Sequence, residues 1–212
     1  MIFVNFKTYQ QGTGEMALNL AKICQQVSQQ TNIPIFPIVQ PADLFRLSSQ
    51  GLSVWSQHVD DIDFGPHTGS LLPQDVLSAG AKGTLLNHAE KKLPLEEIKK
   101  TMAKFSGQIL LCASNLEEGR QLALLKPDFL AFEPPELIGG QISVSQAKPE
   151  IITAFTNEIK DIPILVGAGI RQKEDVQKAL ILGTKGILVS SEIVLSDQPQ
   201  ERLLDLAGGF KS

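Results

Sequence analysis

The sequence predicts an α/β fold, a compact (β/α)8 barrel, and three observations carry that reading. Eight short apolar runs alternate with segments of helical period along the 212 residues. Some of these runs, such as Ile164-Leu165-Val166 and Ile187-Leu188-Val189, are apolar on consecutive residues, as a parallel sheet covered on both faces requires. The stretch Ala79-Gly80-Ala81-Lys82-Gly83 is echoed by Ile181-Leu182-Gly183-Thr184-Lys185-Gly186, in each case a helix-end glycine shortly before a strand. An open doubly wound sheet is the alternative arrangement for such units. A barrel of this length sits at the small end of its usual range, so its helices and loops must be short.

In chain order, strands are expected at residues 2–6, 35–39, 53–59, 83–87, 109–113, 129–133, 164–167 and 186–189. Between them lie amphipathic stretches at 16–29, 95–105, 115–125, 149–159 and 173–182. Ile98, Met102 and Phe105 follow the three-to-four spacing of one helix face, as do Val176, Ala179 and Leu182. Weaker helices are expected at 42–47 and 73–78. A closing helix at 199–206 starts with Pro199, where a missing N–H costs nothing.

Bulk composition narrows the function classes. A chain of 212 residues that is 42% hydrophobic can bury one substantial core and is short for two, so residues 1–212 are expected to form a single domain. The net charge of -4 and pI near 5.4 leave no basic face for nucleic acid. No apolar run reaches the roughly 20 residues needed to span a bilayer. The opening residues Met1-Ile2-Phe3-Val4-Asn5 read as a strand and lack a signal peptide's layout, so a cytoplasmic protein is expected. Cys24 and Cys112 are too few for a disulfide framework and have no metal-ligand spacing. His58, Asp60, Asp61, Asp63 and His67 crowd together, but their spacing matches no metal-ligand pattern.

The most informative segment runs Asp128-Phe129-Leu130-Ala131-Phe132-Glu133-Pro134-Pro135-Glu136-Leu137-Ile138-Gly139-Gly140. It is a buried strand ending on a carboxylate, then two prolines and a short apolar-tipped loop closed by glycines. Glu133 precedes a proline and is therefore held extended. An ionisable group fixed at a strand's carboxyl end, under a loop able to close, suits a general base. In a barrel the chemistry belongs at such ends. Strand 1 brings Asn5 and Lys7 there, and strand 4 brings His88 with Glu90. Strands 7 and 8 finish in Gly167-Ala168-Gly169-Ile170 and Val189-Ser190-Ser191, small residues whose backbone N–H groups can approach a phosphate. Each feature alone has an ordinary structural explanation; their joint placement on five strand ends does not.

Taken in order, these motifs, with Gln57-His58-Val59-Asp60 and Gly65-Pro66-His67-Thr68-Gly69, resemble the triosephosphate isomerase family in its short, archaeal-type form. The resemblance spans essentially the whole chain. It implies interconversion of dihydroxyacetone phosphate and D-glyceraldehyde 3-phosphate, without cofactor or metal, because the substrate's own carbonyl is the electron sink. It also implies roles: Glu133 as the proton-shuttling base, His88 as the electrophile that polarises the carbonyl, and Lys7 with Asn5 stabilising the enediolate. A glutamate base with a neutral histidine is the pattern already established for that family. Ile138, Gly169, Ser190 and Ser191 would contact the phosphate, with Glu90 and Thr68 in support. Thr68 would reach a neighbouring subunit's pocket in a homodimer or homotetramer.

Two departures stand out. Ala89 occupies a position where that family usually has serine beside the histidine, and the far hinge of the loop runs Gly139-Gly140-Gln141-Ile142-Ser143 in place of the usual Gly-Thr-Gly. Both leave the catalytic groups intact, so an active but slower enzyme is expected. A different phosphate-binding barrel enzyme and a catalytically weakened sugar-phosphate-binding protein are the competing readings.

Overall fold

A computed structural model describes residues 1–137 and 143–211. Its eight strands are β1 (Ile2–Asn5), β2 (Ile35–Val39), β3 (Trp55–Ser56), β4 (Gly83–Leu86), β5 (Gln108–Ala113), β6 (Phe129–Phe132), β7 (Ile164–Gly167) and β8 (Gly186–Val189). Each pairs in parallel with the next, and β8 returns to β1 through Ile2 and Ile187, closing the barrel. An open doubly wound sheet is thereby ruled out.

The helices outside the barrel are α1 (Gly14–Thr31), α2 (Leu44–Ser48), α3 (Pro73–Ser78), α4 (Leu95–Lys104), α5 (Leu116–Ala123), α6 (Val144–Ala147), α7 (Pro149–Glu158), α8 (Lys173–Ile181), α9 (Ser191–Val194) and α10 (Pro199–Gly208). Helix α1 extends past both ends of its amphipathic stretch and stops where Asn32 turns left-handed (φ 59°), a usual helix C-cap conformation. Helices α6 and α9, one turn each, are too short for a helical period to show in the sequence. The repeated glycines behave as expected: Gly80 and Gly183 have φ of 95° and 97°, values that a side chain disfavours.

Several strands end earlier than their apolar runs suggest. Strand β3 keeps only two residues, because Ser56 Oγ donates to the His58 carbonyl at 2.7 Å and the chain turns away. Strand β4 stops before Asn87, whose φ of 60° is incompatible with an extended ladder. At β6 the ladder continues one step, Glu133 N donating to Ala113 O at 2.9 Å.

Two apolar layers separate along the strands. Alternate residues such as Phe3, Ile38, Trp55, Leu110, Ala131 and Leu165 fill the barrel, while Ile2, Val4, Leu111, Leu130 and Val166 face the helices. Phe3 packs edge-on against Trp55 at 4.9 Å and Phe129 at 5.4 Å, which plugs the interior. Burying each such ring contributes roughly 1.5–3 kcal/mol. The same period of two brings Asn5, Glu133, Gly167 and Ser190 inward at the strand ends, so a firm apolar floor carries a polar mouth.

Candidate active site

Glu133 sits at that mouth with 6% of its surface exposed. Cys112, one strand away, donates its thiol to Glu133 Oε2 at 3.2 Å. Burial and then the neighbouring carboxylate push the Cys112 thiol well above its ordinary range, so it stays protonated and acts only as a donor. Gly167 provides the space on the other side: a Cβ there would lie 2.3 Å from Glu133 Oε1. Neither contact could be anticipated from the Glu133-Pro134 dipeptide.

His88 is almost as buried, at 7%. Its Nδ1 accepts the Glu90 backbone N–H at 3.2 Å. In the neutral ring the proton therefore belongs on Nε2, and Nε2 points at Glu133 Oε2, 3.5 Å away. Glu90 also accepts from Lys7 Nζ at 2.7 Å. The Glu90 side chain is 58% exposed, so this pair is worth only about 0–1 kcal/mol and Lys7 can be drawn towards an anionic ligand at little cost. The Lys7 backbone is left-handed (φ 48°) and secured at both peptide groups. Asn5 Oδ1 accepts its N–H at 3.0 Å and Gln57 Nε2 donates to its carbonyl at 2.8 Å.

The opposite wall is made of small residues. Ala168 and Gly169 are consecutively left-handed (φ 76° and 69°). Ser190 Oγ donates to the Asn5 carbonyl at 2.7 Å and joins β8 to β1. Asn5, Lys7, His88, Glu133, Gly169, Ser190 and Ser191 all line one cavity of 350 Å³. Tyr9, Arg171 and Glu192 line it as well, and sequence reading missed them. Glu192 is held by Arg171 Nε at 3.1 Å and Arg202 Nε at 3.3 Å. All three had a readable signal, since Arg171 and Glu192 directly follow Gly167-Ala168-Gly169-Ile170 and Val189-Ser190-Ser191, and Tyr9 stands two residues after Lys7.

Glu90 touches the site through Lys7 and His88 without lining the cavity. Ile138 and the hinge residues Gly139, Gly140 and Gln141 lie outside the described residues. Thr68 is exposed on the 64–70 loop and does not line this chain's cavity. Before residues 138–142 Glu136 pairs with Lys148, and after them Val144 N donates to Ala168 O at 3.1 Å. Within the group that crowds together in sequence, His58 Nε2 meets Asp60 at 2.9 Å, and Lys104 bridges Asp61 and Asp63, each at 2.9 Å. Among the described residues no group of three or more His, Cys, Asp or Glu could hold a metal.

The cavity thus opposes a buried carboxylate to an imidazole N–H, with an ammonium beside them and a small-residue wall. Such a set can take a proton from carbon while a donor stabilises the oxygen that becomes negative.

Comparison with known proteins bears on the same chain. A family model described as Triosephosphate isomerase matches residues 1–121 and 112–206. The triosephosphate isomerase of Methanothermus fervidus is 44% identical over 214 residues, covering 97% of this chain and 96% of that protein. That of Methanocaldococcus jannaschii is 37% identical over 214 residues, covering 97% and 98%. The crystal structure of triosephosphate isomerase from Bartonella henselae superposes with a TM-score of 0.77 at 20% identity, covering 100% of this chain and 98% of the other, a likeness of fold.

Proposed function

The chain belongs to the triosephosphate isomerase family, and we propose that it interconverts dihydroxyacetone phosphate and D-glyceraldehyde 3-phosphate in the cavity at the barrel mouth. It is an isomerase acting on a triose phosphate. Glu133 takes a proton from one substrate carbon and returns it to the adjacent one. His88 donates through Nε2–H to the carbonyl oxygen, and Lys7, supported by Asn5, holds the enediolate's negative charge. Gly169, Ser190, Ser191 and Ile138 take the phosphate, while Glu90 steadies both His88 and Lys7. No metal or cofactor enters this scheme.

The single observation carrying the reading is the approach of His88 Nε2 to Glu133 Oε2 at 3.5 Å, across strands that are not neighbours. A base and an electrophile so placed can serve adjacent atoms of one small substrate. Residues 1–212 act as one catalytic domain. Its working place is the cytoplasm, supported by two free cysteines and by the absence of any helix, among the described residues, long and apolar enough to cross a membrane. Assembly as a homodimer or homotetramer is supported by Phe64, 78% exposed on the same loop as Thr68.

A coupled assay for dihydroxyacetone phosphate formed from glyceraldehyde 3-phosphate by the purified protein tests this directly. Turnover is expected, and none would defeat the reading. Glu133→Gln should keep the fold and phosphate binding but lower kcat about 10²–10⁴-fold, the usual loss on removing a positioned base. A fall below about tenfold would show that another group takes the proton.

A further inference from the structure

Beneath the two reacting groups lies a buried polar clamp that the reaction scheme does not use. Asn87, immediately before His88, is 1% exposed and left-handed, with φ of 60°. Glycine adopts that conformation at lower cost, so the asparagine side chain needs a reason. Every polar atom of it is engaged. Nδ2 donates to the Cys112 carbonyl at 2.9 Å and to Glu118 Oε1 at 2.7 Å, and Oδ1 accepts the Leu93 N–H at 3.0 Å. Glu118 in turn accepts the Ser114 N–H at 2.7 Å and Lys92 Nζ at 2.7 and 2.9 Å.

The layout matters more than the number of bonds. Residues 87–93 form the loop that carries His88 and Glu90. Asn87 pins its first residue to the end of β5 and, through Leu93 N–H, its last. Lys92 adds a second tie to α5. On β5 the clamped residue is Cys112, whose thiol touches Glu133 Oε2 at 3.2 Å. One side chain is therefore joined by the chain to His88, and by a single hydrogen bond to the residue that touches Glu133. The amide suits the task because it presents two donors and an acceptor in one plane. Glu118 suits its place because a carboxylate accepts on both oxygens, whereas an amide would turn a donor towards either Asn87 Nδ2 or Ser114 N–H. Burial disfavours charge on Glu118, but Lys92, Ser114 N–H and Asn87 outweigh it and hold the group below the usual carboxylate range.

We propose that Asn87 is a positioning residue: anchored by Cys112 and Glu118, it sets the distance and orientation of His88 relative to Glu133. The proposal rests on the reading that His88 and Glu133 carry the isomerisation. Displacing a reacting group by about 1 Å can cost on the order of 10²-fold in rate, while an anion on the far wall would not sense it.

The test replaces the side chain but keeps the backbone. Asn87→Gly tolerates positive φ and deletes only the clamp. In the wild-type assay background, kcat should fall at least about tenfold, while KM and the inhibition constant of inorganic phosphate stay within about twofold, well under a tenfold energetic step. A clamp that only stabilised the fold would lower the melting temperature and leave kcat of the folded protein intact, which would overturn the proposal. Glu118→Ala, on a partly exposed side chain, is measured in parallel in case Asn87→Gly does not fold; it should lower kcat in the same direction with the same KM, and an unchanged kcat would overturn the proposal too. Wild-type protein without isomerase activity would instead overturn the functional reading itself.

Discussion

Glu133 shows how little freedom a buried carboxylate has. It is enclosed by the Cys112 thiol on one side and by the missing side chain of Gly167 on the other. A Cβ at residue 167 would stand 2.3 Å from Oε1 and 2.6 Å from Cγ, too close for either atom to remain. Gly167→Ala should therefore push the carboxylate out of line with His88 Nε2. We expect a loss of about 10–100-fold in kcat together with about 1–3 kcal/mol of overpacking cost. Steady-state kinetics and thermal melts read the two effects separately. Unchanged kcat would mean that Glu133 has a second productive rotamer, and the contact would lose its significance.

Among the elements, α5 has a clear local determinant. Asn115 precedes it in extended conformation, and its Oδ1 accepts the Glu118 N–H at 2.9 Å, satisfying one of the orphan donors of the first turn. Asn115→Ala should cost about 1 kcal/mol, lowering the melting temperature by about 2–4 °C in a chain of this size, with kcat little changed. A larger loss of kcat than of stability would mean that the cap itself orients Glu118. The segment after β3 has a different control. Burial lowers the His58 pKa, although its hydrogen bond to Asp60 opposes that shift. Asp60 binds the Leu71 N–H at 2.6 Å, so the pair closes the base of the 60–71 loop. A histidine whose folded pKa lies below its unfolded value binds its proton more readily when unfolded. Its stabilisation is then present above the unfolded pKa of about 6.5 and is lost as pH falls through the folded value. Melting temperatures measured at about pH 7.5 and about pH 5.5, either side of that value, should differ less in His58→Gln than in the wild type. An identical difference would assign the acid sensitivity to other groups.

For the whole molecule, closure of the barrel is what turns separate strand ends into a site. Asn5 and Glu133 lie on β1 and at the end of β6, far apart in sequence, yet both line one cavity. What the barrel leaves uncovered is also informative. The 64–70 loop is exposed throughout, and Phe64 at 78% is a large apolar side chain left mostly exposed. Its base is stapled by Lys104 to Asp61 and Asp63, so the tip is presented rather than slack. We expect it to dock against a second copy of the chain, with Thr68 reaching towards the partner's pocket. Deleting residues 66–68 should yield a folded monomer with sharply reduced kcat, because Lys7 and His88 lose outside support. Light scattering with kinetics decides it. A deletion variant that stays oligomeric, or a monomer with full turnover, defeats the expectation.

The barrel's alternation of strands and helices was legible in the sequence because its causes are local. Consecutive apolar residues such as Ile187-Leu188-Val189 encode a strand covered on both faces, and Gly80 and Gly183 mark the helix ends before β4 and β8. Strand β3 and the one-turn helices α6 and α9 were poorly legible, since a two-residue strand or a single turn is too short to show a period. The candidate site divides in the same way. Phe132-Glu133-Pro134 announces a carboxylate held at a strand end, because the proline constrains its own neighbour. Nothing near Glu133 in sequence announces Cys112, Gly167 or His88, and nothing near Asn87 announces Glu118. Those contacts join residues 21 to 31 positions apart or more. They depend on which residues the barrel's stagger brings face to face. Sequence by itself therefore determined the alternation of strands and helices and the chemical types available at the strand ends, while closure of the sheet was seen in the structure. Only the tertiary structure decided their distances, clearances and anchors, because those are set by packing between elements and not by the preferences of any one of them.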